Sequence, residues 1–345
     1  MLLRKILSIF EHKLSTQKQV KMYYLNIPDI ETQRVSFYLA VEEYAARFLK
    51  EDPIFFFWQV EPSVIIGRNQ DLCSEVNVDY CHEHGIGIYR RKSGGGCVYA
   101  DKGNVMLAYI TGKSNVMLAY SNYVNLVLST LKRMSIQACS TGRNDIVVDG
   151  CKVSGTAFYH LPERNIVHGT LLYDTDMQNM MNSITPAKEK LVSKGIKSVR
   201  SRIGLLKDYT NLTIEEIKDK FRTLLCNKTI NLSDEDLRKV REIEKSYITE
   251  NFVSKQTSKW NVVRKGRVNG CGNLEVFIQV KHGNIECVEL SGDYFQLKDS
   301  VGDLTDSMRG AQFTIESLKS VFLKYPPENY IRGLKGKDMI EILFD

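Results

Sequence analysis

Apolar positions along the chain switch repeatedly between helical and strand-like spacing, and that switching sketches a mixed α and β architecture. Phe37, Leu39, Ala40, Val41, Tyr44, Ala45 and Phe48 recur at helical spacing, with Ser36 placed to cap the helix. Phe55-Phe56-Phe57-Trp58 and Ser63-Val64-Ile65-Ile66-Gly67 are short apolar runs parted by Pro62, which predicts two buried strands. The second run ends in the polar turn Gly67-Arg68-Asn69-Gln70, a candidate for the mouth of a pocket. Strands are expected at 105–110 and 166–173, and helices at 120–134, 213–226 and 233–247. Toward the end, strands at 274–280 and 285–290 join through His282-Gly283-Asn284, ahead of a helix at 315–323. The hexapeptide Asn-Val-Met-Leu-Ala-Tyr occurs at 104–109 and again at 115–120. No longer period surrounds the copies, so they read as coincidence or local duplication, with a strand expected in the first.

The chain's most distinctive stretch is Arg90-Arg91-Lys92-Ser93-Gly94-Gly95-Gly96-Cys97-Val98-Tyr99. It reads as a strand that breaks into a tight loop and re-enters the sheet. Backbone N–H groups in such a loop approach an anion without Cβ hindrance, and the arginines add donors suited to phosphate or carboxylate. The bland alternative is a hairpin turn with exposed arginines, since isolated glycine-rich matches are common. Two nucleotide fingerprints fail here. Tyr99 stands where G-x-G-x-x-G needs its third glycine, and Leu107 where a P-loop ending at Gly112-Lys113-Ser114 needs its first.

A second stretch sets Asp149-Gly150 between β-branched runs, a hairpin signal that puts Lys152 just after the turn. Gly155 permits close backbone approach farther along. A lysine beside a hairpin is ordinarily solvated, and the Gly, Ser and Asp neighbours narrow the margin over a site. His168 reads as a core histidine unless its place opposite the Lys152 strand draws it into that site. Lys188, Lys190, Lys194, Lys197, Arg200 and Arg202 surround Gly195, as a solvated connector or as a loop folding over an anionic ligand.

Length and composition narrow the class. A chain of 345 residues fits roughly two domains. We expect an N-terminal extension at 1–21, a large domain at 22–250 and a small one at 255–345. Net charge is +6 without a dense basic, aromatic-interleaved stripe, so an acidic partner or anionic ligand is favoured over nucleic acid. The eight cysteines form no C-x-x-C pair, which fits a reducing compartment better than a disulfide framework. His82-Glu83-His84 lacks spaced partners and reads as a solvated helix end, not a metal site. The apolar run at 54–58 is far short of the ~20 residues a membrane helix needs, so no membrane partner is expected. Arg4, Lys5, Lys13, Lys18 and Lys21 against Glu11 make the first 21 residues basic. They read as an extension ahead of a start at Met22, giving a cytoplasmic protein; a mitochondrial presequence is the alternative.

Six ordered motifs carry a resemblance. They are Tyr38-Leu39-Ala40-Val41-Glu42-Glu43, Val64-Ile65-Ile66-Gly67-Arg68-Asn69-Gln70, the glycine stretch, Arg143-Asn144-Asp145-Ile146-Val147, Lys152-Val153-Ser154-Gly155-Thr156-Ala157 and His168-Gly169-Thr170-Leu171-Leu172. Lys194-Gly195-Ile196-Lys197-Ser198-Val199-Arg200-Ser201-Arg202 and Gln256-Thr257-Ser258-Lys259-Trp260 extend it. Together they resemble the lipoate–protein ligase A family of the biotin/lipoate ligase superfamily. The resemblance implies an α+β fold, a large mixed-sheet domain with packed helices plus a small C-terminal α/β accessory domain. It also implies that lipoate and Mg·ATP give lipoyl-AMP and pyrophosphate. The lipoyl group would then pass to a lysine on apo lipoyl domains of 2-oxoacid dehydrogenase complexes or on the glycine-cleavage H protein, with the enzyme acting as a monomer.

By that resemblance Lys152 and Asp145 are catalytic, Asp145 also being a candidate Mg²⁺ ligand. Arg91, Ser93, Gly94, Gly95, Gly96, Cys97, Val98, Tyr99 and Lys152 would hold ATP or the adenylate. Gly67, Arg68, Lys152, His168 and Gly169 would hold lipoate, its tail walled by the strand at 64–66 and the first helix. The roles make chemical sense: a cation between a carboxylate and an α-phosphate offsets their repulsion and stabilises developing charge. The acceptor amine must lose a proton before it attacks. Ala100 departs from the family, many members carrying histidine there, which would remove a polar contact to the ligand. Rival readings are a lipoyltransferase using preformed lipoyl-AMP, a cysteine-dependent octanoyltransferase with Cys97 or Cys151 near the site, and a non-catalytic binding module.

Overall fold

The computed structural model describes residues 22–28, 32–112, 115–142, 144–184, 202–254, 260–297 and 301–344. The expected N-terminal extension, most of the basic stretch around Gly195, Arg143 and the motif residues 256–259 lie outside them. In chain order the strands are β1 (Met22–Asn26), β2 (Ile54–Trp58), β3 (Ser63–Ile66), β4 (Gly87–Arg90), β5 (Val98–Ala100), β6 (Asn104–Gly112) and β7 (Ala138–Ser140). They continue as β8 (Asp145–Val148), β9 (Cys151–His160), β10 (Arg164–Leu172), β11 (Cys226–Asn231), β12 (Val262–Val268), β13 (Gly272–Lys281) and β14 (Asn284–Gly292). The helices are α1 (Val35–Phe48), α2 (Leu72–Glu75), α3 (Val78–Glu83), α4 (Val116–Arg133), α5 (Met177–Ser183) and α6 (Ile214–Leu225). After them come α7 (Asp234–Glu244), α8 (Glu250–Ser254), α9 (Gly302–Met308), α10 (Ile315–Lys324) and α11 (Gly336–Phe344).

An eight-stranded mixed sheet runs β11-β1-β2-β6-β10-β9-β8-β7. α4 and α6 pack on one face with Val105, Leu107 and Val167, and α1 and α7 on the other with Phe56, Ala108 and Ile166. Burial on both faces explains why the central strands read as nearly unbroken apolar runs. A three-stranded sheet, β4-β3-β5, carries the glycine stretch between two strands that both pair with β3, as the strand–loop–strand reading requires. From Val262 onward, β12-β13-β14 and α9 to α11 build a core of their own around Leu274, Val276, Leu318 and Met339.

Several local expectations are corrected. Ser36 does not cap α1. The N-cap is Arg34, which makes no side-chain cap bond, and Ser36 already lies in the first turn, donating its hydroxyl to Glu244 Oε1 at 2.7 Å. α4 begins at Val116 rather than 120, so the second hexapeptide copy is helical while the first is strand. The difference is context. Asn115 accepts a hydrogen bond from the Met117 amide and starts a helix, whereas Asn104 opens a strand locked between β2 and β10. β1, β11 and β12 were missed, and β11 (CNKTIN) is a largely exposed edge strand with little apolar signal. The expected hairpin is present, with positive φ at Asp149 (48°) and Gly150 (78°) as a type I′ turn needs. His82, Glu83 and His84 are exposed at the end of α3, as expected.

Arg90 holds the turn that follows β3. Its side chain is 1% exposed, and Nη1 donates to the carbonyls of Gly67, Arg68 and Gln70 while Nε and Nη2 reach Val253 O of α8. We expect Arg90→Met to strip four buried carbonyls of a partner and cost about 3 kcal/mol in urea unfolding. A loss under about 1 kcal/mol would show that the turn is held some other way.

Candidate active site

A cavity of about 100 Å³ opens where the two sheets of the large unit meet the accessory unit. One end is apolar: Leu39 of α1, Trp58 of β2, Ile65 of β3 and Met106 of β6. Tyr38 stacks flat on Trp58, centroids 5.0 Å apart, and fixes the indole. The other end is polar, with Lys152, Asn144, Thr156 and Thr170 from the β8–β10 region. Thr156 Oγ1 is buried there without a hydrogen-bond partner, as a group kept for a ligand would be.

Lys152 reaches this end because of two neighbouring features. A bulge between Ile146 and Val147 brings Asp145 opposite Gly155. A Cβ on Gly155 would stand 3.1 Å from Lys152 Nζ, so the bare glycine leaves the channel along which the lysine lies. Its ammonium ends 2.7 Å from Asp145 Oδ1, an ion-pair distance, yet that oxygen has no aligned hydrogen bond. Both groups are about one-third exposed, so water screens the pair and it can exchange partners when an anion arrives. The backbone of Lys152 is held from the far side: its N–H donates to Arg202 O at 2.7 Å, and its carbonyl accepts from Gly204 N at 2.9 Å.

The glycine loop is shaped from beneath by Arg91. Its Nη2 donates to Gly94 O (2.8 Å) and Gly96 O (2.7 Å), Nη1 to Ile65 O (2.9 Å) and Nε to Ser93 Oγ (3.0 Å). Burial lowers its pKa to about 10, leaving it cationic at neutral pH. Arg91 thus lines the cavity while its donors hold β3, Ser93 and two carbonyls of the glycine loop. Only glycine fits at Gly67, where a Cβ would come 2.1 Å from Gly95 O. Gly95 itself has φ of 86° and donates its N–H to Tyr294 O of the accessory unit. Burial raises the Cys97 thiol far above its ordinary value.

Of the residues singled out from sequence, Arg91, Gly95, Gly96, Cys97, Val98, Lys152, His168 and Gly169 line the cavity. Others support it from behind. Ser93 is fully buried against His168, and Tyr99 faces away into a cluster with Val64 and Ile66. Of the strand at 64–66, therefore, only Ile65 walls the cavity. Gly94 presses on Tyr294, and Arg68 reaches Gln296 Oε1 at 3.3 Å. Asp145 stands at the polar rim as Lys152's partner. Ala100 is packed with Ile65 and Met106 in the apolar layer and is absent from the described cavity lining. The sequence reading missed Phe295, which stacks on Phe158 with centroids 5.3 Å apart and lines the cavity from the accessory unit. Nothing local marks it, because its role exists only once the two units touch.

The cavity is apolar at one end and carries an ammonium and the glycine loop at the other, a shape and charge suited to an amphipathic carboxylate. Residues 34–225 match the lipoyl protein ligase A/B catalytic domain, and residues 257–343 the bacterial lipoate protein ligase C-terminus. The chain is 31% identical over 338 residues to lipoate-protein ligase LplJ of Bacillus subtilis, covering 94% of this chain and 100% of that protein. It is 32% identical over 314 residues to lipoate–protein ligase 1 of Staphylococcus aureus, covering 88% and 95%. Among solved structures, P. falciparum LipL1 in complex with lipoate superposes with a TM-score of 0.72 at 23% identity, over 88% of this chain and 94% of that one. A bipartite lipoate protein ligase of Thermoplasma acidophilum gives 0.62 at 23% identity, over 70% and 99%. At those identities the superpositions establish the shared fold, as the resemblance implied. The chain belongs to the lipoate–protein ligase family.

Gly67→Ala is expected to push the glycine loop off Ile65 and Arg91. Amide hydrogen exchange should rise at least ten-fold over residues 93–97; protection equal to the parent would mean that the contact with Gly95 O relaxes without cost.

Proposed function

We infer that this chain is an ATP-dependent lipoate–protein ligase. A lipoate carboxylate oxygen attacks the α-phosphorus of ATP, giving lipoyl-AMP and releasing pyrophosphate. The ε-amine of an acceptor lysine then attacks the lipoyl carbonyl carbon; an amide forms, AMP leaves and the amine gives up a proton. The observation that carries this reading is Lys152 at the polar end of a cavity whose other end is Leu39, Trp58 and Met106. The dithiolane and its alkyl tail match the apolar end. The carboxylate then meets the ammonium, which stands between two anions and stabilises the charge that builds on the phosphate.

Asp145, beside Lys152, is the group suited to taking the acceptor's proton once the ammonium turns to phosphate. A lone carboxylate also fits Mg²⁺ bound chiefly through phosphates and water, with Asp145 as its protein ligand and charge neutralisation as its contribution. Among the described residues no group of three His, Cys, Asp or Glu side chains forms a metal cage. The Gly95–Val98 backbone supports the nucleotide, while Arg91 and Ser93 keep the loop in shape. For the acceptor, one solved neighbour is a lipoate protein ligase described together with its E2 lipoyl domain. Apo lipoyl domains of 2-oxoacid dehydrogenase complexes and the H protein are the acceptors we propose here. No helix among the described residues is long and apolar enough to cross a membrane. A monomer working in the cytoplasm remains the reading we propose.

A cysteine nucleophile is not part of this reaction. Desolvation raises the Cys97 thiol and so favours its protonated form, and Cys151 sits under Gly204 and Tyr209. Cys151→Ser should therefore keep lipoyl transfer within about three-fold of the parent, and loss of transfer by a folded variant would restore the octanoyltransferase reading.

Purified protein with Mg²⁺ and lipoate should exchange pyrophosphate into ATP, and Lys152→Ala should cut that rate by about 10³. Absence of exchange in the parent, with transfer from supplied lipoyl-AMP intact, would reduce the activity to the second half-reaction.

A further inference from the structure

We propose that Glu42 is a positioning residue for the glycine loop, acting on Arg91 through His168 and Ser93. The assignment rests on the ligase reading for its kinetic consequences and on geometry alone for its structural ones. Arg91 Nε donates to Ser93 Oγ at 3.0 Å, Ser93 Oγ lies 2.7 Å from His168 Nε2, and His168 Nδ1 lies 2.7 Å from Glu42 Oε2. Trp58 Nε1 holds the other Glu42 oxygen at 3.4 Å. Exposure along the chain is 5%, 0%, 8% and 0%, so each link is largely shielded from bulk water.

A guanidinium N–H can only donate, so Ser93 accepts there. In the tautomer that carries the ring hydrogen on Nδ1, Ser93 donates to His168 Nε2 and the ring donates to the Glu42 carboxylate. Every hydrogen bond then points the same way, from the Arg91 end to the Glu42 end. Such a chain is cooperatively polarised and lets two desolvated charges compensate across two neutral residues.

Glu42 projects from the same helix as Leu39, and its second partner is Trp58, both of which wall the apolar end. Arg91 at the other terminus fixes the carbonyls of Gly94 and Gly96. The element that receives the acyl tail is thus wired to the one that receives the nucleotide. Serine, histidine and glutamate at these distances also have the outline of a nucleophilic triad. Ser93 is not used that way: it is fully buried, lies behind the described cavity lining, and its oxygen already accepts from Arg91.

The test compares Glu42→Gln, Ser93→Ala and Ser93→Thr with the parent. Glu42→Gln and Ser93→Ala should each raise the KM for ATP at least ten-fold in pyrophosphate exchange, with the KM for lipoate within two-fold. The double variant should be no worse than the more severe single one, and Ser93→Thr, which restores the hydroxyl, should recover most of the loss. In ligand-free protein both cuts should speed amide exchange of residues 93–97. That readout judges the relay even if the parent shows no exchange activity, an outcome that would sink only the ligase reading. Unchanged loop exchange in either folded variant overturns the proposal, as does an equal rise in both KM values. Labelling of Ser93 by a fluorophosphonate would overturn it in favour of a nucleophile. Should Glu42→Gln fail to fold, the Ser93 pair decides alone.

Discussion

Two adjacent buried guanidiniums give the site its shape. A run of three glycines has almost no conformational preference of its own and loses much entropy on ordering. Arg91 supplies the missing preference by holding the carbonyls of Gly94 and Gly96 from inside, and Arg90 does the same for the turn at Gly67, Arg68 and Gln70. The two act on opposite sides of one contact, since Gly67 and Gly95 approach closely enough to exclude a Cβ. Burying two cations is costly, and backbone carbonyls spread that cost over many dipoles, so the charges stay fixed in place.

The accessory unit depends on the same construction. Asn69 O, presented by the turn that Arg90 holds, accepts from Gly292 N (2.9 Å) and Ser291 Oγ (2.6 Å), and Gly95 N donates to Tyr294 O. Loop, turn and the segment after β14 therefore meet on a platform made mostly of main-chain groups. Side chains enter where surfaces must be filled, Phe295 against Phe158 being the clearest instance. Arg332 adds a further contact across the seam, its guanidinium lying over the Tyr120 ring.

Much of this was legible in the residues. The glycine triplet flanked by arginines, the Asp149-Gly150 turn and the helical spacing of α1 each state a local rule that nothing nearby contradicts. What could not be read was nonlocal. Ser36 looks like a cap until Glu244, far along the chain, takes its hydroxyl. The repeated hexapeptide shows the limit sharply, because identical residues become a central strand or a first helical turn according to their surroundings. Arg91 followed the same rule at the level of chemistry. Its residue type suggested anion binding, but not that the same guanidinium would hold the carbonyls of Ile65, Gly94 and Gly96.

The pairing of Lys152 with Asp145 shows how this framework is converted into chemistry. A lysine buried alone would lose its proton, and one fully solvated would have no fixed position. At about one-third exposure, Lys152 is localised by a carboxylate 2.7 Å away in a pair that water screens. In the reaction proposed above, an arriving carboxylate and phosphate would draw the ammonium away from Asp145, and the freed carboxylate would be the base for the acceptor amine.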